Sequence, residues 1–370
     1  MRIGFDASDL HTNRADGTTR YTYEILKRLP TYLPGDEWLA FAPGPRASQF
    51  PLPDSIHWQA SLWPKFWTQS RLPFDLFRYR PNVLFMPIQQ LPILRPWGMK
   101  TVAVVHDLAF HQFGPQYTWK DWFLLHVFTA QVVQRADHII AISRSTAADI
   151  AHFYGRTHNV HIVPHGVSPT FRPPNQGEHV ATWQQIHEAF PKLKKPYILT
   201  VGQIQPRKNL TRLIEAFEQL TRNHAYAGHQ LVIAGAHGWM QDPILQRIKT
   251  SERAASIHML GRVDDKVLLP LYWHAEVFAL VSLYEGFGLP LLEAMAAGTP
   301  VVTSAISSMP EVVGDAGILI NPKQPGSIRE GIVKALQQKD TLRQQGIDQA
   351  RKFSWDAAAQ TVANLLKQEG

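Results

Sequence analysis

The sequence contains no cysteine, which excludes a disulfide framework, thiolate metal sites, iron–sulfur clusters and a cysteine nucleophile together. A reducing cytosol fits that absence. Nowhere do about 18 consecutive apolar residues occur, so no segment reads as a membrane-spanning helix. The opening residues Met1-Arg2-Ile3-Gly4-Phe5-Asp6 run straight into a strand pattern and read as neither signal peptide nor anchor. No Asp-x-Asp and no His/carboxylate cluster with metal-ligand spacing occurs, so no bound metal and no required cofactor are expected. No Gly-x-Gly-x-x-Gly follows a strand, which argues against a nicotinamide dehydrogenase. The basic residues form neither a nucleic-acid motif nor a basic helix, which argues against a nucleic-acid partner.

What is present is a chain of 370 residues, 45% hydrophobic and 18% charged, with apolar matter for sizeable cores. That length favours two domains of about 150–200 residues each. Lys plus Arg exceeds Asp plus Glu by 37 to 30, a formal +7, so the surface should attract something anionic. Short β-rich runs (Ile3–Asp6, Trp38–Phe41, Val83–Met86, Thr101–Val105, His138–Ile142, Val160–Val163) alternate with helical stretches. The rhythm restarts at Tyr197–Val201 and continues through Leu231–Ala234, Ile257–Leu260, Val277–Val281 and Val301–Thr303. Such alternation builds parallel sheets covered by helices, an α/β class. Pro173, Pro174, Asn175 and Gly177 break the pattern between the halves. The expected domains are 1–170 and 182–350, with 171–181 as linker.

Ligands of open parallel sheets bind beyond the carboxyl ends of strands, where helix N-termini present free N–H groups. The stretch Ser282-Leu-Tyr-Glu285-Gly286-Phe287-Gly288-Leu289-Pro290-Leu-Leu-Glu293 leaves one such strand and enters a helix with Pro290 in its first turn. Gly286 and Gly288 allow close backbone approach, and the N–H groups from about Phe287 to Leu291 would face an anion. Glu285 and Glu293, eight positions apart, suit hydroxyls rather than phosphates. The expected ligand therefore carries both. Arg207 and Lys208, in Gly202-Gln-Ile-Gln-Pro206-Arg207-Lys208-Asn209, open another helix, where cations oppose the dipole unless an anion offsets them. The pair suits a diphosphate.

The Glu-x7-Glu pattern of Glu285 and Glu293, with Arg207-Lys208 before it and Gly298-Thr-Pro-Val-Val after it, resembles the retaining glycosyltransferases of family four. Asp16-Gly17-Thr18-Thr19-Arg20-Tyr21, Val105-His106-Asp107-Leu108, Ala141-Ile142-Ser143, Val163-Pro164-His165-Gly166-Val167, Leu260-Gly261-Arg262-Val263 and the segment from Ser307 to Gly317 extend the resemblance over nearly the whole chain. It implies the GT-B fold, two Rossmann-like domains facing across a cleft, with the terminal helix 354–370 packing back on the first. It implies a metal-independent hexosyl transfer from a nucleotide-diphosphate sugar, GDP-mannose first and a UDP-sugar second, dTDP also being open, to a glycan or lipid-linked acceptor. The implied donor set is Gly17, Gly202, Arg207, Lys208, Val263, Glu285, Gly286, Phe287, Gly288, Leu289 and Glu293. The implied catalytic set is His106, Arg207, Lys208 and Glu285. Only Gly17 stands where the family often has two or three glycines. A GT-B sugar-nucleotide epimerase or hydrolase is the alternative.

Between His57 and Tyr79, aromatics alternate with cations. Trp63, Trp67, Lys65 and Arg71 are read there as acceptor or anionic-membrane contacts, with first-domain core as the competing reading. A second aromatic run, Phe110–Phe128, follows His106. The expected location is cytoplasmic, with peripheral contact on the inner face of the membrane.

Overall fold

The structure, a computed structural model, describes residues 1–12, 16–61, 63 and 65–369, with all of their side chains except those of His179 and Val180. Gly370, the end of the expected terminal helix, lies outside the described residues. The chain forms two compact units, Met1–Gly166 together with Ser354–Gly370, and Val167–Phe353.

In unit 1, seven strands are all joined in parallel: β1 (Arg2–Asp6), β2 (Glu37–Ala42), β3 (Ile56–Ala60), β4 (Val83–Met86), β5 (Lys100–Val105), β6 (His138–Ala141) and β7 (Val160–Ile162). Their order is β3-β2-β1-β4-β5-β6-β7. The central strand β4 is buried throughout, as expected of a parallel sheet covered on both faces, which is why it reads as an unbroken apolar run. Asp16 caps the helix Gly17–Leu26 by accepting the Thr19 N–H at 2.9 Å. Ser143 caps Arg144–Tyr154 through the Thr146 N–H at 3.0 Å. The helix Trp355–Glu369 starts where the Ser354 hydroxyl accepts the Asp356 N–H at 3.1 Å. Its Trp355 ring packs 6.0 Å from Tyr21, and at its other end Glu369 accepts from His138 at 2.7 Å and pairs with Lys100 at 3.0 Å.

Unit 2 contains β8 (Tyr197–Val201), β9 (Gln230–Ala234), β10 (Ile257–Gly261), β11 (Val277–Leu280), β12 (Val301–Ser304) and β13 (Gly317–Ile320). The order is β10-β9-β8-β11-β12-β13, again parallel throughout. Leu213, Ile214 and Phe217 of the helix Leu210–Thr221 fill one side of this sheet with Ile198, Leu231 and Val277. The direction of the strand order reverses between β1 and β4 in unit 1, and between β8 and β11 in unit 2. Loops diverge at such a switch point and leave a crevice at the strands' carboxyl ends.

Candidate active site

The loops after β8 and β11, the strands flanking the unit 2 switch point, meet through charge. Lys208 Nζ lies 2.6 Å from Glu285 Oε1, and Arg207 Nη1 lies 3.1 Å from Oε2 and 2.7 Å from the Tyr284 carbonyl. The Ser282 hydroxyl donates to the same carboxylate at 2.6 Å. All three charged side chains are largely buried. Burial pushes the Glu285 carboxyl up, but Lys208 and Arg207 outweigh it and, with the Ser282 hydrogen bond, hold it down at about 2. Two cations gathered at the end of these strands are of the kind that holds an anion. The sequence reading treats the cations and the acid as separate contacts; in the structure they form one triad.

Backbone geometry fixes this triad. Asn209 sits in the left-handed region at φ 58° and sends its amide N–H groups to the Val281 and Pro322 carbonyls at 2.9 and 2.8 Å. That anchors the turn Pro206–Lys208 to the end of β11. Asn tolerates this conformation better than most residues. Gly202 has φ 148°, and a Cβ there would come within 3.1 Å of Lys208 Cε. Gly235, after the neighbouring strand, lies so close to the Gly202 carbonyl oxygen that a Cβ would be 1.9 Å from it. On the other side, the Ser307 hydroxyl donates to the Glu285 carbonyl at 2.5 Å and accepts the Glu285 N–H at 3.2 Å, with Ser307 itself at φ 58°. Ser308 donates to the Glu285 and Phe287 carbonyls at 2.9 and 2.8 Å. Asn209, Gly235 and Ser282 carry no assigned role in the sequence reading, and Ser307 and Ser308 enter it only as part of a resembling segment. Gly235, Ser282, Ser307 and Ser308 lie within four residues of a strand end, and Asn209 directly precedes a helix.

Gly288 caps the helix Leu289–Ala296 at φ 104°. The Leu291 N–H is taken by the Gly288 carbonyl at 2.9 Å, which shortens the expected row of amides at that end. Gly286 and Phe287 are buried within the loop and Leu289 is partly exposed. Glu293 is the fifth residue of this helix, buried, and accepts the Tyr272 hydroxyl at 3.1 Å. Val263 is half-buried in the turn after β10.

In unit 1, at the carboxyl ends of β1 and of β5, the neighbour of switch-point strand β4, the charges are suppressed. His106 Nε2 lies 2.6 Å from the Pro87 carbonyl, so that nitrogen carries the proton and Nδ1 is left as the acceptor of the neutral ring. Burial lowers the His106 pKa, opposed by the Pro87 carbonyl, Asp107 and Asp16. The Gln89 side-chain carbonyl accepts the His106 N–H at 3.2 Å, and its amide donates to the Asp107 carbonyl at 2.9 Å, a support the sequence reading does not include. Asp6 ends β1, fully buried, and accepts from Trp67 Nε1 at 3.0 Å and from the Ser8 N–H at 3.2 Å. Burial raises its pKa to about 6 despite those hydrogen bonds. Gly17 opens its helix directly behind the Asp16 cap. Trp67 requires a correction: at 7% exposure, bonded to Asp6, it belongs to the core and cannot be an interfacial contact. Trp63 and Lys65 are exposed, and Arg71 is tied to Asp75 at 2.8 Å. Among the described residues, no three His, Asp or Glu side chains are grouped to hold a metal ion.

Residues 15–171 match the family Glycosyltransferase Family 4, and residues 182–353 match Glycosyl transferases group 1. The chain belongs to the family four glycosyltransferases, with the GT-B fold of two Rossmann-like units. It is 38% identical over 174 residues to the O-antigen chain mannosyltransferase B of Escherichia coli, covering 46% of this chain and 45% of that protein. To the serotype-specific mannosyltransferase WbdA of Escherichia coli it is 30% identical over 267 residues, 70% of this chain and 32% of that protein. The chain thus matches less than half the length of either relative. Among solved structures, the sucrose-phosphate synthase of Thermosynechococcus elongatus superposes with a TM-score of 0.78 at 18% identity, covering 99% of this chain and 98% of that one. The Anabaena protein HepE in complex with UDP-glucose gives 0.75 at 16% identity, with full coverage of both.

Proposed function

We propose that the chain transfers a hexose, mannose first, from a nucleotide-diphosphate sugar to a glycan or lipid-linked acceptor, retaining the anomeric configuration and needing no metal. The observation that carries this reading is the Arg207, Lys208 and Glu285 triad at the unit 2 switch point. Cleaving a sugar–phosphate bond places negative charge on the departing phosphate, which fixed cations and amides stabilise. Arg207, Lys208 and the backbone from Gly286 to Leu289 take that role, Glu285 and Glu293 take sugar and ribose hydroxyls, and Val263 contacts the base through its backbone. With no carboxylate assigned as nucleophile, the leaving phosphate oxygen accepts the acceptor's proton as the new bond forms on the same face. Mannose is supported by the relatives' names. GDP is the first choice of base and UDP the second; peripheral contact with an anionic membrane belongs to the same reading.

The test is product analysis with GDP-mannose and UDP-sugars, with and without acceptor, in the presence of EDTA. Acceptor-dependent product of retained configuration is expected. Conversion without acceptor would replace this reading by the epimerase or hydrolase, and activity restored only by a divalent ion would overturn the metal-free mechanism.

A further inference from the structure

We propose that the opening turns of the helix Trp119–Arg135 form a platform for a neutral glycan chain, whose hexose rings stack on Trp119, Trp122 and Phe123. This helix leads from the carboxyl end of β5, where His106 lies, back to the start of β6. Its 17 residues span about 26 Å, against about 20 Å for the 6 residues of β5. The residues it buries, Thr129, Val132 and Val133, all belong to its second half, so the first half is the part that stands clear of the sheet. There Trp119, Trp122, Phe123 and Val127 share one face at helical spacing, and all four are exposed, Trp119 by 73% and Phe123 by 53%. Bulky apolar side chains collected this way mark an interaction site.

The face is braced from behind. Thr118 caps the helix by accepting the Asp121 N–H at 3.2 Å and donates to its carboxylate at 2.7 Å. Four rings run inward from the platform: Trp122 packs 4.0 Å from His126, His126 4.5 Å from His111, and His111 stacks flat on Phe153 at 4.0 Å. His111 Nε2 lies 2.9 Å from the Tyr154 hydroxyl, which holds the row at its inner end. A Cβ at Gly114 would come within 2.9 Å of Trp122 Nε1, so only glycine lets the indole edge seat there. Rings fixed in place lose little freedom when a ligand settles on them. His126 Nδ1 carries the proton it shares with the Trp122 carbonyl at 2.8 Å, which leaves Nε2 of the neutral ring as an acceptor beside the indole.

Charge and ring spacing choose the occupant. From Leu108 to Val127 the chain has one cation, Lys120, and one acid, Asp121, so the platform has no net charge to draw a nucleotide or an anionic headgroup. Rings with hydrogen-bonding groups among them fit a pyranose, which turns its C–H bonds to a π face and its hydroxyls to polar neighbours. Trp119 and Phe123, four positions apart, are offset along the helix by about 6 Å, the scale of one hexose in a chain. This inference rests on the glycosyl-transfer reading and decides between its two acceptor chemistries: unit 1 grips the acceptor by its sugars.

Ligand-observed NMR titration of the full chain with mannose, mannotriose and maltotriose tests this without turnover. At least one trisaccharide should bind at least about tenfold more tightly than mannose. Trp119→Ala with Phe123→Ala should weaken that binding by at least about tenfold, whereas Trp119→Phe with Phe123→Tyr, which keeps both rings, should stay within about threefold of the parent. Circular dichroism and calorimetric titration with GDP and UDP should be unchanged in both. Trisaccharides that bind no better than mannose, or an alanine variant that binds them like the parent, overturn the proposal. So does an alanine variant that keeps trisaccharide binding but loses co-sedimentation with phosphatidylcholine vesicles, which would make the face a lipid contact. A parent dimer that the alanine pair converts to a monomer with trisaccharide binding intact would likewise replace the platform by a self-association surface. A failure to transfer sugar with trisaccharide binding intact would count only against the enzymatic reading.

Discussion

The two units share one strand order and differ in what they keep at its switch point. Unit 2 concentrates charge there: Glu285 is held ionised by Lys208 and Arg207. Unit 1 suppresses it, with the Asp6 carboxyl raised to about 6 and the His106 imidazole pulled toward its neutral form. Outside, the contrast reverses. Among the described residues, thirteen large apolar side chains are exposed in unit 1 and four in unit 2. One topology thus carries two chemistries, set by which residues follow β1 and β5 on one side and β8 and β11 on the other. Fold determines where a ligand sits; the loop residues determine its charge.

Breaking the unit 2 side of that contrast should have the largest effect. Glu285→Gln frees Arg207 and Lys208 from their internal anion, so inorganic pyrophosphate should bind about tenfold more tightly by calorimetry while sugar transfer falls about 100-fold. The same substitution removes the carboxylate charge that these two largely buried cations share and should cost about 3 kcal/mol in denaturant unfolding. In the parent, the contribution of this carboxylate is present above pH 4.5 and lost as pH falls toward 2, because its folded-state pKa lies below its ordinary value. Weaker pyrophosphate binding in Glu285→Gln would mean that the acid supports anion binding rather than standing in for it.

Asp6→Asn probes the opposite arrangement. A carboxyl whose folded pKa is raised stabilises the fold fully below its unfolded pKa near 3.8, and that contribution is lost as pH rises through about 6. The variant should therefore be more stable than the parent by about 3 kcal/mol at pH 8 and by under about 1 kcal/mol at pH 4. A stability difference independent of pH would show that Asp6 is not buried as an acid. The smallest effect is expected at Ser307. Ser307→Ala should raise the donor KM several-fold with kcat nearly kept, and Ser307→Gly, which suits φ 58° but lacks the hydroxyl, should recover stability without recovering KM. Equal KM values in all three chains would remove Ser307 from the positioning of the Glu285 loop.

Much of this fold is legible in the sequence because central parallel strands are buried on both faces. Val83–Met86 and Val277–Leu280 stand out as continuous apolar runs. The edge strands Ile56–Ala60 and Gly317–Ile320 do not, since they are partly exposed and carry His57, Gln59 and Gly317. The helix Arg71–Tyr79 is not read from the sequence either: Leu72, Pro73 and Leu76 face inward at helical spacing, but Pro73 and the exposed Phe74 and Phe77 blur that pattern. At the candidate site, glycines and prolines beside Arg207, Lys208 and Glu285 mark those residues in the sequence. The ion pairs among them did not show, since they join positions 77 and 78 residues apart. Asn209 and Ser307 escape for a related reason: their conformations at positive φ and their long-range hydrogen bonds exist only in the folded chain.

The central claim is that unit 2's cation pair, not unit 1, takes the diphosphate. Calorimetric titration of GDP and UDP into the parent, into Arg207→Ala with Lys208→Ala, and into His106→Ala tests it most directly. The double variant should lose at least about 100-fold in affinity, with the His106 variant binding as the parent does. Nucleotide affinity unchanged by the double substitution, or lost on replacing His106 alone, would contradict the account.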